Sequence, residues 1–122
     1  MLTVGLVAGL FLRRSIRLDQ PAAPWHLAHA GTSGRGVLLI ALAPVLQWLA
    51  LTPGQAAGFV WLIATFAWTS TAAMVIAAAT GQRGLHVGGN VTNQLVVALY
   101  VASAVTVFPA AALLLFGLWN AL

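Results

Sequence analysis

The segment Trp25-His26-Leu27-Ala28-His29-Ala30-Gly31-Thr32-Ser33-Gly34-Arg35-Gly36 runs without a break into the apolar residues 37–51. It reads as one helix with a polar, glycine-rich first half and an oily second half. The rest of the chain decides what surrounds it. Of 122 residues, 61% are hydrophobic and 5% charged, against roughly a quarter charged in a soluble domain. Five cations and one acid do not build a water-facing surface. The chain is therefore read as an integral membrane protein, an all-α helical bundle in a single domain. A histidine carried into a membrane helix is a functional candidate, because polar groups there are costly and usually paired. His29 is the foremost such residue.

The pI near 11.8 reflects the near absence of acids rather than a basic face. Nucleic-acid binding needs clustered cations on one face and is not expected. All the cations are arginine, and Arg13, Arg14 and Arg17 adjoin an apolar stretch, where lipid headgroups are the fitting neighbours. With no cysteine there is no disulfide framework, thiolate ligand or iron–sulfur centre.

Working outward, residues 2–12 are apolar but short of the ~20 residues that cross a bilayer. Their charges follow the apolar stretch, the reverse of a signal peptide. Two readings stand: a start truncated or miscalled, with the true first helix beginning upstream, which is preferred, or a short, tilted span with snorkelling arginines. Pro21 and Pro24 break the chain beside Asp19, the only acid. The second helix is expected over 23–51, with Pro44 as a possible kink. Thr52-Pro53-Gly54 is a tight turn, followed by a third helix over 54–80. Gly81-Gln82-Arg83-Gly84 is a second turn, and a polar, glycine-rich loop leads to a fourth helix over 92–120. With the first helix at 2–17, four transmembrane helices are expected. Antiparallel neighbours put Arg13, Arg14, Arg17 and Arg83 on one side, which the positive-inside rule makes cytoplasmic. The expected location is the bacterial inner membrane.

Three histidines are present, His26, His29 and His86. His26 and His29 are three apart, so a helix places them on one face, a spacing that can hold a metal. No carboxylate is available to complete a hard-metal site, and zinc would need His86 folded inward. A haem needs one neutral imidazole and apolar walls. His29 can equally make a packing hydrogen bond to a neighbouring helix carbonyl. Arg35 and Arg83 are candidates to pair with propionates; as a bland alternative, Arg35 snorkels. Asn90, Asn93 and Gln94 read as caps of the last helix. Tyr100, the only tyrosine, is either a donor in the site or a filler on a helix face. The tryptophans read mainly as interfacial anchors, with Trp61 and Trp68 on one face and more apt to line a helix contact. Carboxylate pairs, a Ser-His-Asp set and a phosphate loop are all lacking. Catalysis by this chain must come from a cofactor or from dipoles.

The run Ala28-His29-Ala30-Gly31, followed by Arg35-Gly36 and an apolar helix, resembles the second helix of styrene oxide isomerases, with their Ala-His-Ser-Gly and a later Asn-Gly. Trp68-Thr69-Ser70 is similar to the Trp-Ser-Asn of their third helix. Gln82-Arg83-Gly84-Leu85 is similar to their Asn-Arg-Gly-Leu loop, and Asn90 falls near the polar stretch after it. The resemblance covers residues 25–99. It implies a four-helix membrane protein assembled as a homotrimer, with haem b between protomers and His29 as axial ligand. Ferric iron would act as a Lewis acid on a small hydrophobic epoxide, which rearranges to an aldehyde. Two positions depart from the pattern: the family's asparagine falls on Arg35 and its tyrosine on Met74. Methionine cannot replace a phenol as a donor. Two other readings remain open, a haem protein for electron transfer or sensing with His86 or Met74 as second ligand, and a cofactor-free subunit of a larger complex.

Overall fold

The structure, a computed structural model, describes residues 1–84 and 88–122. It consists of four α-helices: α1 (Leu2–Arg17), α2 (Ala23–Val45), α3 (Pro53–Thr80) and α4 (Val91–Trp119). Among the described residues there is no strand. The fold is an all-α helical membrane bundle.

Each helix ends for a local reason. Arg14 and Arg17 lie in the last turn of α1, where cations complement the carbonyl end of the dipole. Asp19 follows with φ of 51°, a left-handed conformation that aspartate tolerates. Pro24 stands in the first turn of α2, where its missing N–H is not needed. The expected end of α2 at residue 51 is corrected. The α-helix stops at Val45, a 3₁₀ turn covers Leu46–Trp48, and Leu49 is extended. Pro44 removes one backbone donor there. Thr52 precedes Pro53, which biases it away from helix, and it must be extended to cap α3. Thr52 and Gln55 form a reciprocal capping box, and Gly81 closes α3 in the left-handed conformation with φ of 73°. Asn90 caps α4, its side chain accepting from the Asn93 N–H at 2.8 Å.

The helices pair as two hairpins, α1 with α2 and α3 with α4, joined where α2 meets α3. Small residues set the approach, as expected where lipid supplies no hydrophobic drive between helices. Gly5, Ala8 and Gly9 of α1 face α2, whose buried stripe is Ala28, Thr32 and Gly36. A Cβ on Gly5 would collide with the Ser33 hydroxyl, and one on Gly36 would lie 2.7 Å from Leu2. α1 therefore flanks α2 from its start only as far as Gly36. At the other end of the bundle, the Ala50 N–H donates to the Gly117 carbonyl at 3.1 Å, docking the α2–α3 turn on the end of α4.

α3 and α4, with 28 and 29 residues, are long and apolar enough to cross a membrane. α2 has the length, about 34 Å at 1.5 Å per residue, but its first half carries the polar residues. The tryptophan pair is corrected: Trp61 and Trp68 are 74% and 59% exposed and face outward. Ala67, Ser70, Thr71 and Ala73 take the inner face of α3, because small residues allow the closer contact. Trp25 stacks on Phe11, with centroids 4.7 Å apart, and ties the start of α2 to α1.

Candidate functional site

His29 is half-buried and turns toward α1. Its Nδ1 lies 2.7 Å from the Gly5 carbonyl oxygen. A carbonyl only accepts, so Nδ1 carries the proton and donates, and in the neutral ring Nε2 keeps its lone pair. The packing hydrogen bond is present and uses one ring nitrogen; the ligand reading would use the other. Gly9 makes room for the ring: a Cβ there would lie 3.0 Å from Nδ1. Gly5 and Gly9 therefore do two jobs, supplying the acceptor and the space. His26 is exposed, and among the described residues no three metal-ligating side chains come together. His86 lies outside the described residues.

Arg35 and Met74 are in direct contact. The guanidinium Nη1 donates to the Met74 Sδ at 3.0 Å, and its carbon lies 5.6 Å from the centroid of the Phe66 ring. Gly31, four residues before Arg35, supplies the hollow. A Cβ there would be 2.6 Å from the Met74 Cε and 3.0 Å from Arg35 Nη1. The two positions that depart from the family pattern are thus one physical unit, linking α2 to α3. Phe66 was not singled out from the sequence.

Met74 also lines a cleft of about 590 Å³ between the start of α2, the end of α3 and α4. Leu27, Ala77, Ala78, Arg83 and Tyr100 are among its other walls. Arg83 is exposed, in the turn after α3. Gly84 holds that turn close to α4: its φ is 63°, and a Cβ would meet Val96 at 2.7 Å. Asn93 accepts from the Gly84 N–H at 3.1 Å and donates to the Gly88 carbonyl at 2.7 Å. The cleft therefore has mainly apolar walls and two polar side chains, Arg83 and Tyr100.

His29 and the cleft are not on one face of α2. Gly31, which meets Met74, is two residues from His29, or about 160° around the helix axis, and Arg35 is about 120° from it. One chain does not turn His29 and Met74 toward the same space, so Met74 does not pair with His29 as a second ligand within a chain. The structure brings together Arg35, Met74 and Phe66, with Tyr100 within electrostatic reach of Arg35, and it places His29 apart from them.

Comparison with known proteins gives one family. The family model described as styrene oxide isomerase matches residues 1–119, nearly the whole chain and more than the 25–99 of the sequence resemblance. No match emerged among curated proteins or solved structures.

Proposed function

The chain belongs to the styrene oxide isomerase family, and from that membership we propose that it binds haem b at His29 and isomerises an epoxide to an aldehyde in the bacterial inner membrane. The observation that carries the haem assignment is the bond from Nδ1 to the Gly5 carbonyl. Histidine ligands of metals almost always donate their other ring N–H to such an acceptor, which fixes the ring and raises its basicity. Haem bound there would supply a ferric Lewis acid for the epoxide oxygen.

The chain's own residues have defined parts. His29 presents Nε2, Gly5 orients it and Gly9 leaves it room. Arg83 and Arg35 are the cations available to propionates. The cleft walls are mainly apolar, an environment that favours rearrangement of an opened epoxide over its hydration. The only acid, Asp19, is exposed after α1, so no carboxylate serves the cleft as a base. A rearrangement in which a hydride shifts between the two epoxide carbons needs none, because no proton has to leave the substrate and return. The separation of His29 from the cleft supports assembly as a homotrimer with the cofactor between protomers, where one copy's histidine meets another copy's walls.

The test is product analysis. Purified protein loaded with haem in detergent, given styrene oxide without any redox partner, is expected to yield the aldehyde of unchanged mass. Recovery of only epoxide or diol from haem-loaded protein would contradict the reading.

A further inference from the structure

We propose that the Arg35 guanidinium is a carboxylate-binding group behind Met74 at the cleft, so that the ligand of this chain carries an anionic group, a ligand identity that rests on the isomerase reading above. Arg35 is the thirteenth of the 23 residues of α2, about 18 Å along a helix of about 34 Å. A cation at that depth is expensive, faces protein or a water-filled cavity, and is normally paired. Arg35 is not paired with an acid here, since Asp19 is the only one and sits exposed beyond α1. Its Nε is buried without a hydrogen-bond partner among the described residues. Among the described residues, its Nη1 bonds a thioether, a weak acceptor. The Phe66 face adds attraction but accepts no N–H in the plane of the fork.

The donors are thus held with an acceptor missing. A carboxylate taking the place of the Met74 sulfur supplies the missing charge and takes two parallel N–H bonds, from Nη1 and Nη2. The way in is through Met74, which touches Arg35 on one side and lines the cleft on the other. Methionine is unbranched and flexible, so its sulfur can yield the guanidinium to a stronger acceptor. Arg83 and Tyr100 on the cleft walls provide a polar route for an anion.

The carboxylate has two possible owners, an epoxide substrate or the haem propionates, and the test separates them. Calorimetric titration of the full chain in detergent, with and without haem, uses 4-vinylbenzoate and its isosteric amide as unreactive probes. A second titration compares haem with haem dimethyl ester. The wild type is expected to prefer at least one carboxylate form over its neutral partner by about tenfold or more, and Arg35→Gln should erase that preference. Erasure with the benzoate assigns the substrate, and erasure with haem assigns the propionate. Arg35→Lys, which keeps the charge and loses the fork, should retain only part of it. A wild type without either preference overturns the proposal with no variant needed. So does a preference that survives Arg35→Gln, or one erased by Arg83→Gln while Arg35→Gln is silent. A chain that takes up no haem yet keeps the benzoate preference retains the charge site and sinks the isomerase reading instead.

Discussion

Gly9→Val is expected to weaken haem binding about 10- to 100-fold, the range seen when a partner that orients a metal-bound histidine is lost. A Cβ at Gly9 would sit 3.0 Å from the His29 Nδ1 and 3.2 Å from Cε1, and valine adds two methyl groups beyond it. The ring must leave the Gly5 carbonyl or α1 must back away. Either movement releases the tautomer and lets Nε2 wander. The change also overpacks the helix contact, at a cost of about 1–3 kcal/mol, so thermal unfolding is followed beside the haem titration. Gly58→Ala is the comparison, because a Cβ there meets nothing within 4 Å among the described residues. Gly9→Val protein that stays folded and binds haem as tightly as the wild type would refute the seating of His29.

The second large effect concerns the paired departures. The double variant Arg35→Asn/Met74→Tyr is expected to raise kcat/KM for neutral aryl epoxides by about 10²-fold, the scale of one placed hydrogen-bond donor in a dry site. Each single variant should give far less than its share. Arg35 and Met74 touch at 3.0 Å, and residues in contact do not add. A phenol beside an intact guanidinium is drawn to that charge. An asparagine beside methionine gains no phenol to work with. The measurement is a double-mutant cycle on initial rates of aldehyde formation. Small, additive changes would show that the Arg35–Met74 pair does not set the chemistry of the cleft.

The long helices were legible because local signals agree. Thr52 before Pro53 and Gln55 marks the start of α3, Gly81 its end and Asn90 the cap of α4, each through a bond within a few residues. His29 stood out because a polar ring in an oily helix needs a reason. Its acceptor did not, because Gly5 is 24 residues away and only the register of α1 on α2 brings them together. The Gly5 and Gly9 spacing was the available signal, a small-residue pair suited to close helix contact. Arg35 and Met74 are 39 residues apart, so their contact was invisible although both positions had been singled out. Trp61 and Trp68 went outward because the opposite, small-residue side of α3 won the packing. α2 ended early because Pro44 and the extended Thr52 outweigh the apolar run through residue 51.

The most direct measurement is the visible spectrum of the purified full chain in detergent, titrated with ferric haem, beside His29→Ala prepared in the same way. The account predicts a saturable high-spin ferric Soret band in the wild type that His29→Ala abolishes. No such band in the wild type, or the same band in His29→Ala, would contradict it.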